Sequence, residues 1–180
     1  MKKGILFINL LVWSFTSFSQ ANKEAAMHTF VNQLLSKMTL EEKLGQLNLP
    51  ASSDFVTGAV SSSDIAQKVK DGKVGGVFNI RSVTKIKELQ EYAVKNTRLH
   101  IPLLFGMDVI HGYRTIFPIP LGMSATWDMP LIERSARIAA SEASADGIMW
   151  TFSPMVDLTR DPRWGRTSEG NGEDAFLSSA

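Results

Sequence analysis

Two short apolar runs separated by one helix-length segment constrain this chain more than any other feature. The runs are Val74-Gly-Gly-Val-Phe-Asn-Ile80 and Ile101-Pro-Leu-Leu-Phe-Gly-Met-Asp108. Between them Ile86, Leu89, Tyr92 and Ala93 recur at helical spacing, with Ser82 placed to cap the segment. Strand, helix and strand with connections of this length form a βαβ unit, which makes the strands parallel and the crossover right-handed. The pattern then repeats. Asp128 caps a second long helix with Pro130 in its first turn. Leu131, Ile132, Ala136, Ile138, Ala139 and Ala143 give that helix an inward face, and Asp146-Gly147 closes it. The apolar run Met149-Trp-Thr-Phe-Ser-Pro-Met-Val156 supplies a third buried strand. The expected class is α/β.

Upstream, Met27, Phe30, Val31, Leu34 and Leu35 mark an amphipathic helix over 25–38. Thr39 and Glu42 then stand at the two positions of a capping box, and Leu40, Leu44 and Leu47 continue the apolar stripe up to Pro50. Residues 51–63 read as a loop, and 64–70 as a short helix closed by Asp71-Gly72. Phe117-Pro-Ile-Pro-Leu-Gly122 reads as extended, because each residue before a proline is pushed out of the helical region. Trp127 reads as packing at the start of the long helix. A closed (β/α)8 barrel takes about 250 residues. With three strands legible in 180 residues, the chain is expected to be the front part of such a barrel, incomplete, within a larger protein.

The N-terminus sets the compartment. Lys2 and Lys3 precede an apolar stretch over 5–18, and Ser17 and Ser19 supply small residues for cleavage before Gln20. Residues 1–19 therefore read as a secretory signal peptide, too short in its apolar core to span a bilayer. The expectation is an exported protein, periplasmic or secreted, with no membrane segment after cleavage and a mature domain at 20–180. The formal net charge is +1, and both lysines of the leader are lost on cleavage, so the mature form is near neutral. No basic cluster of the kind that binds nucleic acid is present. With no Cys there is no thiolate nucleophile and no Cys-ligated zinc.

Chemistry-bearing residues gather where two strands end. One cluster is Asp108-Val-Ile-His-Gly-Tyr-Arg114; the other runs from Asp157 to Arg166 and on to Phe176. In a parallel α/β architecture the carboxyl ends of the strands share the face where ligands bind. A carboxylate accepts hydrogen bonds from hydroxyls and a guanidinium donates several in a fixed fork. An acid and an arginine on one face therefore suit a neutral, hydroxyl-dense ligand such as a sugar, with Trp150 and Trp164 as flat apolar surfaces. Each residue has a plainer reading. An isolated Asp after a strand often caps the next turn. His111 without a second His nearby reads as a structural hydrogen bond rather than a metal ligand. Asp161-Pro-Arg163 reads equally well as a turn closed by a local ion pair. The stretch Glu169-Gly-Asn-Gly-Glu-Asp174 does not have the spacing of an EF-hand calcium loop.

These residues strongly resemble glycoside hydrolase family 3, in particular its periplasmic β-glucosidases. Four motifs match in order: Lys37-Met-Thr-Leu-Glu-Glu-Lys-Leu-Gly-Gln-Leu47, Gly106-Met-Asp-Val-Ile-His-Gly112, Phe117-Pro-Ile-Pro-Leu-Gly122, and Asp161-Pro-Arg-Trp-Gly-Arg166 with Ser168-Glu-Gly-Asn-Gly-Glu-Asp174. The resemblance implies an N-terminal (β/α)8-like barrel followed by a second α/β domain. It implies that Asp108 binds two hydroxyls of the nonreducing-end sugar and that Arg166 contacts the same ring. It implies removal of nonreducing-end β-D-glucose from oligosaccharides or glucosides by a retaining mechanism without metal or organic cofactor. The family's nucleophile lies in a Ser-Asp-Trp type motif, and its pocket uses a Lys-His pair; neither occurs in these residues. By this reading the segment holds substrate-binding residues but no catalytic ones, and is inactive alone. A β-xylosidase of the same family is the alternative among enzymes. A non-catalytic sugar-binding or structural segment is the alternative outside them.

Overall fold

The computed structural model describes residues 23–52 and 64–180, so the expected signal peptide at 1–19 lies outside the described residues. The chain divides into two units, Met1–Lys43 and Leu44–Ala180. In the first, α1 covers residues 23–37. Its stripe is amphipathic as expected, yet Met27, Phe30, Val31 and Leu35 are exposed. The capping box opens α2 (Leu40–Gln46): the Thr39 N–H donates to Glu42 Oε2 (2.8 Å), and the Glu42 N–H donates to Thr39 Oγ1 (3.2 Å).

The second unit is built on a parallel sheet of β1 (Gly76–Phe78), β2 (Leu104–Met107) and β3 (Trp150–Thr151), in that order. Gly76 pairs with Leu104, Phe78 with Gly106, and Gly106 with Trp150. The helices between them are α3 (Ile65–Lys70) before β1, α4 (Val83–Asn96) after it and α6 (Met129–Ala145) before β3. Strands that add in sequence order with right-handed crossovers put their helices on one face. A barrel is such a sheet continued until it closes. On the helix side Val77, Phe105 and Met107 pack with Ile65, Val69, Ile86, Ala93 and Ala143 in one buried core. On the opposite face Phe78, Trp150 and Phe152 form an aromatic patch, with ring centroids 5.3 Å apart for Phe78–Phe152 and 4.7 Å for Trp150–Phe152. Gly106 makes this patch possible, because a Cβ there would meet the Phe152 ring at 3.1 Å.

Local signals place the helix ends. The Ser82 hydroxyl accepts from the Lys85 N–H (3.4 Å), and Asp128 Oδ1 accepts from the Leu131 N–H (3.0 Å), both as N-caps. Gly72 and Gly147 follow their helices with positive φ.

Several expectations need correction. Residues 48–52 run parallel along the free edge of β1 as an unforeseen strand-like segment. The Phe78 N–H donates to the Pro50 carbonyl (2.9 Å), and the Ser52 N–H donates to the Phe78 carbonyl (2.8 Å). Ile119 is extended as expected (φ −55°, ψ 150°), but a short helix α5 (Pro120–Ser124) begins at Pro120. Proline fits the first helical turn, where its missing N–H has no partner to lose. Of the expected inward face of α6 only Ala139 and Ala143 are buried; Leu131 and Ile138 are exposed. β3 is two residues long and exposed rather than a long buried strand, because no described strand covers its far edge. Trp127 is 64% exposed at φ 54°, so it does not pack at the helix start.

Candidate functional site

Asp108 is the first residue past β2, and the loop that carries Arg166 follows β3, the neighbouring parallel strand. The loop is closed at its base, where Met155 bridges Gly170 and the Thr159 N–H donates to the Gly172 carbonyl (3.0 Å). A single 3-10 turn (Thr167–Glu169) follows Arg166, and Ser124 Oγ on α5 lies 3.1 Å from Asn171 Oδ1, tying the loop to that helix. The long polar run is therefore an organised loop and not a loose tail.

Within it most charges are spent on shape. Arg163 donates through Nε to both carboxylate oxygens of Asp161 (3.0 and 3.1 Å), and its backbone N–H reaches Oδ1 (3.0 Å). That is the local ion pair the sequence offered as the plainer reading, and it holds Asp161 below the ordinary carboxylate range. His111 Nδ1 lies 3.0 Å from the Phe117 carbonyl, a structural hydrogen bond as expected. Gly112 holds the turn between them. At φ 117° a Cβ would collide with the Thr115 carbonyl oxygen.

The structure brings Asp108 and Arg166 together with one residue that sequence reasoning passed over, Glu169. Arg166 donates to Glu169 Oε2 through Nε (3.1 Å) and Nη2 (2.7 Å). The pair raises the Arg166 pKa and holds the Glu169 carboxyl below its usual range. The signal was available, because Arg166 and Glu169 are three residues apart in a helical turn. Asp108 feels both groups. Loss of water around its carboxyl raises its pKa most, the Glu169 charge raises it further, and Arg166 pulls the other way. Its side chain still opens to solvent, and no hydrogen bond to its carboxylate is found among the described residues. The turn-cap reading of Asp108 therefore fails. A partly desolvated carboxylate without a protein donor, beside a guanidinium, is arranged to accept hydrogen bonds from something else.

An open groove of about 900 Å³ lies beside this cluster, lined by His111, Phe117, Trp150 and Met155 and by the apolar face of α6. Glu169 and Asn171 also line it, whereas Asp108 and Arg166 do not. It is an apolar packing surface rather than a bed for hydroxyls, so the chemistry is assigned to the polar cluster. Trp150 sits on the open face of the sheet, and Trp164 in the Arg166 loop is partly exposed. Among the described residues no helix is long and apolar enough to cross a membrane.

A family model described as "Glycosyl hydrolase family 3 N terminal domain" matches residues 39–180. The chain belongs to glycoside hydrolase family 3. It is 44% identical over 155 residues to a periplasmic β-glucosidase of Salmonella typhimurium, covering 86% of this chain and 20% of that protein. It is 31% identical over 173 residues to a putative β-xylosidase of Formosa agariphila, covering 87% and 23% respectively. Its structure matches the β-glucosidase of Listeria innocua in complex with isofagomine at a TM-score of 0.74 and 44% identity, covering 84% of this chain and 21% of that one. A variant of the Listeria enzyme has been seen with laminaribiose. This family 3 chain thus spans about a fifth of the length of these relatives.

Proposed function

We propose that this chain is the sugar-binding N-terminal part of an exported β-glucosidase that removes nonreducing-end β-D-glucose from glucosides or oligosaccharides. The observation that carries the reading is the Asp108 carboxylate, free of protein donors and set beside Arg166 at the carboxyl ends of adjacent parallel strands. Asp108 accepts two ring hydroxyls, and Arg166, steered by Glu169, donates to the same ring. The periplasmic relative and the leader-like residues 1–19 support export. A retaining mechanism needs two carboxyl groups about 5–5.5 Å apart across the anomeric carbon. We assign neither to this chain, because the resemblance places the family's nucleophile in a Ser-Asp-Trp type motif that does not occur in these residues.

The test is kinetic, on the complete enzyme. Asp108→Ala is expected to lower kcat/KM for an aryl β-glucoside on the order of a hundredfold or more, since charge-assisted hydrogen bonds are lost. Its thermal midpoint should stay near that of the wild type. Wild-type kinetics in the variant would remove Asp108 from the site. The Formosa relative favours one second reading, a β-xylosidase. It predicts faster turnover of the aryl β-xyloside than of the glucoside by the same preparation.

A further inference from the structure

Val109, immediately after Asp108, holds φ at 50°. A β-branched residue rarely adopts this left-handed conformation, and such strain persists only where the surroundings over-determine it. Two features do so here. The Val109 side chain packs against the buried core beneath the sheet. From the other side, the backbone carbonyls of residues 108 and 109 are both held by the strand next door. Asp108 O accepts from the Ser153 N–H (3.1 Å) and from the Thr151 hydroxyl (3.1 Å). Val109 O accepts from the Ser153 hydroxyl (3.1 Å). The two hydroxyl oxygens are themselves 2.9 Å apart, so two protons serve three contacts and each hydroxyl restrains the other. The Ser153 N–H bond lies just past the two strands and, being a backbone contact, needs no particular side chain. The two hydroxyl contacts depend on Thr151 and Ser153 being what they are.

We propose that Thr151 and Ser153 are positioning residues whose hydroxyls clamp the Asp108–Val109 backbone and so fix the direction in which Asp108 offers its carboxylate to the sugar. This rests on the substrate-binding reading of Asp108 given above. Neither residue touches the sugar in this scheme; both act through the peptide plane behind the carboxylate. Thr151 holds the peptide plane that joins Asp108 to Val109, and Ser153 holds the next plane, where Val109 would otherwise relax.

A double-mutant cycle in the complete enzyme tests the clamp. The variants are Thr151→Val, Ser153→Ala and the two combined, each in the wild-type and the Asp108→Asn backgrounds. The Asn amide keeps one acceptor and so keeps activity measurable. Thr151→Ser serves as the conservative control. KM and kcat for an aryl β-glucoside, the inhibition constant of glucose and the thermal midpoint are read for each. The combined variant is expected to raise KM and weaken glucose inhibition about tenfold, each single variant less, and Thr151→Ser to stay near wild type. In the Asp108→Asn background the same substitutions should cost little, because the group they aim is already impaired. Equal losses in both backgrounds, or a lowered thermal midpoint with unchanged KM and glucose inhibition, would overturn the clamp. If Asp108→Asn itself left KM and glucose inhibition untouched, the substrate-binding reading would fail instead.

Discussion

Glu169 governs two neighbours at once. It anchors the Arg166 guanidinium through two hydrogen bonds, and its negative charge raises the pKa of Asp108. In the role proposed for it, Asp108 must be ionised to accept two hydroxyl protons. Its raised pKa therefore places the acid limb of substrate affinity above the ordinary carboxylate value of 3.8. As pH falls through that raised value, affinity is lost. In Glu169→Gln one like charge is gone, so the acid limb should move down in pH, and a carboxyl-carbon NMR titration of Asp108 should move with it. At neutral pH the same variant should bind more weakly, because Arg166 has lost its anchor. An unmoved or raised Asp108 pKa would show that Glu169 does not act on Asp108 electrostatically.

At the scale of elements, short-range rules are the ones that operated as written. The capping box at Thr39 and Glu42, the Ser82 cap and the Asp128 cap each need only a side chain and a backbone N–H three residues apart. Asp128→Ala should lower the stability of the folded chain by about 1 kcal/mol, read as a shifted midpoint in urea denaturation without a change of slope. A shift within error would mean that the Asp128 side chain is not the group holding that terminus. Elements whose extent depends on distant partners were not legible in the same way. The segment at 48–52 becomes strand-like only because the β1 edge is beside it. The run at 149–156 keeps two strand residues because its other edge is unpaired among the described residues.

At the scale of the whole molecule, many large apolar side chains stand exposed among the described residues. The α6 face with Leu131 and Ile138, the aromatic patch of Trp150 and Phe152, and the apolar groove expose large apolar side chains to solvent, the kind of surface that marks an interaction site or an aggregation liability. Purified residues 20–180 are therefore expected to bind a hydrophobic dye such as ANS strongly, to self-associate in sedimentation, and to show no turnover of an aryl β-glucoside. A monodisperse, dye-silent and active preparation would contradict this. The sequence by itself determined the parallel α/β class, the helix caps and the family, and it singled out Asp108 and Arg166 as residues that follow neighbouring strands. Those follow from local hydrogen bonds, from the period of apolar residues and from the rule that parallel strands share a carboxyl-end face. Only the tertiary structure decided that Glu169 holds Arg166, that the Asp108 carboxylate has no protein donor, and that Val109 is held in a strained turn by Thr151 and Ser153. The Glu169 contact is local and was legible in principle from its spacing of three residues. The Thr151 and Ser153 contacts depend on how two strands some forty residues apart come to lie side by side, a distance no short-range pattern carries.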